Sequence, residues 1–143
     1  MNTIIMISWA FVLVWMALIY KLSSQSAHQS NDLSEGVAGY IVRTIEKVSS
    51  KNSFDLSRFN HIARKSAHFL TYLILGLLVM NAASRSGLVG FNVLALSMGI
   101  CVLYAISDEV HQLFVPGRGA QVKDVLIDSA GAAVGISIFS LVM

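Results

Sequence analysis

The sequence predicts an all-α fold: a polytopic membrane bundle of four transmembrane helices, with a long helical connection between helices 1 and 2. Three observations lead there. The 143-residue chain is 55% hydrophobic and only 13% charged, whereas an ordinary soluble domain is about 25% charged. Its apolar residues gather into four runs, each close to the roughly 20 residues that cross about 30 Å of hydrocarbon. An α-helix is the single-segment structure that satisfies its own backbone hydrogen bonds in lipid, so each run reads as a helix.

The first span, residues 4–20, carries no charge. A signal peptide would show Lys or Arg ahead of a shorter apolar stretch, so a retained membrane helix is the reading. The connection that follows, residues 21–65, opens with the polar run "KLSSQSAHQSND". Asp32 and Glu35 then resemble a capping box, and Val37, Ile41, Ile45 and Val48 recur at helical spacing. That stripe predicts an amphipathic helix, either lying on the membrane surface or packed over the bundle. A short break at "KNSFD" precedes a helix expected to run straight into the membrane.

The second span, residues 66–83, is interrupted mainly by His68 and Asn81. The third, 89–107, contains Asn92 but no charge, and the fourth, 125–143, contains one charge, Asp128. The whole of 1–143 therefore reads as one membrane domain. A net charge of +2, scattered along the chain, argues against a nucleic-acid partner. Cys101 is the only cysteine; it excludes an intramolecular disulfide and a multi-cysteine metal site, and reads as a packing residue.

The charged residues are unevenly placed. Four antiparallel spans bring the start of helix 2, the end of helix 3 and the start of helix 4 to one membrane face, and each of those places is polar. Arg64, His68 and Tyr72 follow i, i+4, i+8, with Lys65 adjacent, so they share a face of helix 2. Asp108, His111 and Gln112 follow i, i+3, i+4, with Glu109 turned by about 100°. Asp124, Asp128, Gly131 and Gly135 form one stripe down helix 4, and the glycines allow a close helix contact that would turn both aspartates inward. Between helices 3 and 4, Pro116, Gly117 and Gly119 bracket Arg118, a side chain suited to bidentate contact with phosphate or carboxylate.

Each residue also has a plain structural reading. Asp128 would be offset by a salt bridge to Arg118 or Lys65, His68 would hydrogen-bond within the bundle, His111 would fill a helix interface, and Tyr72 would sit at the headgroup level. Asp108, Glu109 and His111 match no standard zinc spacing, so no metal is assigned, and no cofactor is legible. Two acids on helix 3, two on helix 4 and three bases at one level nevertheless predict a single converging site. At least one of Arg64, Lys65 or Arg118 is expected to pair with one of those acids.

The stretches "RKSAHFLTYLILGLL" and "SDEVHQLFVPGRGAQVKDVLIDSAGAAVG", together with "LSSQS" after the first span, resemble the VanZ-like family of bacterial membrane proteins. The resemblance covers nearly the whole chain and implies a small multi-pass protein of the bacterial cytoplasmic membrane. Its named member is associated with resistance to teicoplanin, which binds lipid-linked cell-wall precursors. Carried over by position, the motif residues are Arg64, Lys65, His68, Tyr72, Asp108, Glu109, His111, Gln112, Arg118, Asp124, Asp128 and Gly131. Asp128 stands where the family often has Asn, which leaves open a metal role, a proton role or a different salt bridge.

Residues and resemblance together favour an amphiphilic, anionic membrane lipid as partner, such as a polyprenyl phosphate or a precursor carried on one. Two functions follow. One is binding or masking that lipid. The other is an intramembrane hydrolase or transferase acting on it, with Asp108, Glu109, His68 and His111 as candidate catalytic groups. A count of Lys and Arg places the charged connections in the cytoplasm, whereas access to cell-wall precursors places them outside; the latter is the expectation adopted.

Overall fold

A computed structural model describes residues 2–25, 56–117 and 119–142. It contains α1 (Thr3–Ser23), α2 (Leu56–Arg85), α3 (Gly90–Gln112) and α4 (Val122–Val142), with no strand among the described residues. Each helix is long and apolar enough to cross a membrane, α2 over Arg64–Arg85. At about 1.5 Å of rise per residue, the 21 residues of α1 match the hydrocarbon thickness. Phe11, Leu13, Val14, Leu103, Leu126 and Leu141 point outward and are exposed. A surface this apolar on every helix has lipid as its natural solvent.

The helices outrun the predicted apolar spans at the polar end. α2 begins at Leu56 and passes unbroken into its span, as the sequence predicts. α3 continues beyond residue 107 to Gln112, because Asp108, Glu109 and Gln112 face inward and are buried there. The amphipathic stripe from Val37 to Val48, and Arg118, lie outside the described residues. At the opposite end, α2 stops in a Schellman turn. Gly87 takes φ 90°, and the amides of Gly87 and Leu88 return to the carbonyls of Ser84 and Ala83. That positive φ is why glycine follows the last helical turn.

α2 is the hub, packing against α1, α3 and α4, and most extensively against α4. Van der Waals packing rather than water exclusion drives helix association in lipid, so small residues decide where backbones meet. On α4 the buried stripe is Asp128, Gly131, Ala132, Gly135 and Ile136. A Cβ on Gly131 would overlap the Phe69 carbonyl, and one on Gly135 the Leu73 carbonyl. From the other side, a Cβ on Gly76 would lie 2.5 Å from the Ala132 oxygen. Elsewhere the bundle is tied by polar side chains that donate to helix carbonyls of a neighbouring helix. Trp15 Nε1 donates to the Thr71 carbonyl at 2.9 Å, joining α1 to α2, and the Tyr104 hydroxyl donates to the Met16 carbonyl at 2.6 Å, joining α3 to α1.

Helix propensity alone would make Gly→Ala stabilising by about 1 kcal/mol. Gly131→Ala and Gly135→Ala should do the opposite, losing about 1–3 kcal/mol through overpacking against backbone. Gly99→Ala, where an added Cβ meets nothing within 4 Å, should be neutral or stabilising. Thermal unfolding of the three variants in detergent, followed by circular dichroism, reads the difference. Identical behaviour of all three would remove the glycines from the α2–α4 contact.

Candidate functional site

The close α2–α4 contact fixes where the polar residues fall. On α4, Asp128 lies one turn before Gly131; on α2, His68 directly precedes Phe69, whose carbonyl Gly131 abuts. The two side chains therefore meet. His68 Nδ1 stands 3.3 Å from Asp128 Oδ1, with the carboxylate wholly buried and the imidazole partly exposed. α3 contributes Asp108 from the third side. One ligand atom each of His68, Asp108 and Asp128 lies within 4.8 Å of the other two. Three helices, distant in sequence, converge on one point.

This centre is dry. Asp108 is 3% exposed, Glu109 3%, Asp128 0% and Tyr72 0%. Ser23, at the end of α1, and Gln112, one turn beyond Asp108, adjoin the Asp108 carboxylate. Yet among the described residues no well-aligned hydrogen bond reaches either oxygen of Asp108 or of Asp128. The Ser23 hydroxyl, the Tyr72 hydroxyl and Gln112 Nε2 are likewise buried without an aligned partner among the described residues. Tyr72 lies within electrostatic reach of both Asp108 and Asp128, and its ring centroid is 6.2 Å from that of Tyr104. Donors and acceptors thus surround the centre without closing on each other.

Glu109 has a different task. Its Oε2 accepts the backbone amide of Gln121 at 2.8 Å, immediately ahead of α4. A carboxylate at that place satisfies an amide left over by the helix start and complements the positive end of the helix dipole. It also clamps the α3–α4 connection across the bundle end.

The structure departs from the sequence outline at Tyr72 and adds Ser23 to it. Asp128 is met by His68; Arg64 and Lys65 are half-buried at the start of the membrane portion of α2, and the pairing expected with Arg118 lies outside the described residues. Tyr72 is no headgroup-level residue but, among the described residues, the largest fully buried side chain, because α1 and α3 cover that face of α2. His111 stacks against Tyr20, with ring centroids 4.3 Å apart, as an interface residue would. Asp124 is half-buried one turn above Asp128 on the predicted stripe. Ser23 joins these residues from the end of α1, and the polar exit "LSSQS" from the first span is the sequence signal that marks its position.

The sequence model of the VanZ/LLP1 family matches residues 8–143. The chain belongs to the VanZ/LLP1 family. No curated protein and no solved structure matches it. The VanZ/LLP1 match takes in part or all of each of the four helices, so the convergence of His68, Asp108 and Asp128 lies within the family region.

Glu109→Ala should cost about 0.5–2 kcal/mol, the usual loss when a helix-start amide is left without its side-chain acceptor. Glu109→Gln, which keeps an acceptor oxygen, should lose less. Thermal unfolding in detergent measures both, and equal losses would show that the Gln121 amide does not depend on Glu109.

Proposed function

We propose that this VanZ/LLP1 protein resides in the bacterial cytoplasmic membrane and binds or masks a lipid-linked anionic envelope precursor, contributing to glycopeptide (teicoplanin-type) resistance. One observation carries this reading. A groove of about 530 Å³ runs along α2, lined among the described residues by Ile62, Lys65, Ser66, Phe69 and Leu70. Its wall is apolar enough for a hydrocarbon chain, and its rim offers an ammonium and a hydroxyl to a phosphate. A polyprenyl phosphate or pyrophosphate makes both demands at once. Arg64 adjoins Lys65 in sequence, and Arg118 belongs to the connection at the same bundle end. The resistance phenotype follows from the family's named member, since a held precursor is less available to an antibiotic that binds it.

A second reading, an intramembrane hydrolase or transferase on the same lipids, is favoured by the buried His68, Asp108 and Asp128 centre. Purified protein in nanodiscs separates the two. Lys65→Ala and Arg118→Ala should each weaken binding of a polyprenyl phosphate about tenfold or more, since a hydrogen bond to a charged group contributes about 1.5–3 kcal/mol. Unchanged affinity in Lys65→Ala would reject the groove. Asp108→Asn keeps the shape of the carboxylate but not its charge. If the protein only binds, no lipid product appears with either chain; time-dependent conversion of a polyprenyl pyrophosphate that Asp108→Asn abolishes would replace binding with catalysis.

The polar bundle end is expected on the extracytoplasmic side, where such precursors are exposed to glycopeptides. In intact cells an impermeant maleimide should label Ala120→Cys, in the α3–α4 connection, and leave Ser86→Cys, in the α2–α3 turn, unlabelled. The reverse pattern would place the site in the cytoplasm.

A further inference from the structure

We infer that His68, Asp108 and Asp128 form a binding site for a divalent transition-metal ion, with Zn²⁺ the best fit. The distances come first. An ion with bonds of about 2.0–2.2 Å to nitrogen and oxygen holds neighbouring ligand atoms roughly 3–3.6 Å apart. His68 Nδ1 and Asp128 Oδ1 are 3.3 Å apart, and the third ligand atom, from Asp108, lies within 4.8 Å of both. A small rotamer adjustment of one aspartate closes that triangle.

Alignment points the same way. At 3.3 Å the imidazole and carboxylate are near enough to hydrogen-bond, yet Asp128 Oδ1 receives no aligned hydrogen bond. Two ligands that face a common ion approach each other in this side-by-side manner. All four oxygens of Asp108 and Asp128 are buried without an aligned donor among the described residues. In a protein interior such atoms have partners or bind something.

Charge balance is the third argument. Two carboxylates this close, sunk between apolar helices, carry an electrostatic cost that one imidazolium offsets only by half. A divalent ion bound by two carboxylates and a neutral imidazole brings the centre to zero. One nitrogen and two oxygens suit Zn²⁺ better than the all-oxygen shells preferred by Mg²⁺ or Ca²⁺. The outer shell is already present: Ser23 and Gln112 adjoin Asp108, and Tyr72 lies within reach of both acids. These are donors able to orient carboxylate oxygens that do not touch the ion. Three protein ligands also leave a coordination position open. Spacing in the sequence gives no hint of this set, because its members come from three helices.

The test needs the metal alone. Full-length protein, freed of any affinity tag and stripped with chelator in detergent, is reloaded with Zn²⁺, dialysed and analysed by elemental mass spectrometry. About one Zn²⁺ per chain is expected, with affinity reduced at least about tenfold in His68→Ala, Asp108→Asn and Asp128→Asn, and unchanged in Asn81→Ala at the opposite end of the bundle. Loss of Zn²⁺ from wild type on dialysis, or full retention by the three variants, overturns the site. X-ray absorption at the zinc edge of the wild-type protein covers the case of a variant that fails to fold. A first shell of oxygen with one imidazole nitrogen supports the assignment, and a sulfur-containing or purely oxygen shell refutes it. No lipid enters the experiment, so its outcome is independent of the lipid-binding reading.

Discussion

The backbone contact between α2 and α4 is the constraint on which the rest of the molecule depends. Gly131 and Gly135 each abut a carbonyl of α2, at Phe69 and Leu73, and Gly76 abuts α4 in return. Both α4 glycines meet α2 four residues apart, so one parallel register is set along the whole interface. With that register fixed, Asp128 has little choice of neighbour. It must face the turn of α2 that contains His68, and the 3.3 Å separation between them is the consequence. A larger residue at either glycine would move the two helices apart and uncouple the pair without touching it.

The same register explains why so much polarity is tolerated in a lipid-facing bundle. A carboxylate at the centre of a lone membrane helix costs about 2.5–3.5 kcal/mol on insertion scales. Asp108 and Asp128 instead point into the bundle at its polar end, where imidazole, hydroxyl and amide groups are gathered. Glu109, one residue along α3, is turned aside and spends its charge on the start of α4. Adjacent acids on one helix thus divide the work: one holds the loop, the other joins the buried centre.

The fold was legible because two physical signals coincide in this sequence. Apolar runs of membrane length give the four spans, and the polar residues interrupting them fall at one bundle end when the spans alternate in direction. Convergence of helices 2, 3 and 4 followed from that alternation. The approach of His68 to Asp128 did not, because it depends on the interhelical offset that the glycine contacts set. Tyr72 was misplaced for a related reason. Depth along α2 alone suggests the headgroup level, but lateral cover by α1, anchored through Trp15 on the Thr71 carbonyl, makes its environment an interior one. Ser23 is illegible because one serine in a serine-rich exit looks like any other until α1 is docked.

α2 carries both the outer groove and one member of the buried centre. Lys65 and Phe69 line the outer groove, while His68 faces the buried acids. Lys65 and His68 are three residues apart, about 60° around the helix, so a ligand lying in the groove would have its polar end within roughly one turn of the inner centre. The imidazole is the partly exposed member of its pair, with 19% of its side chain accessible against none for Asp128.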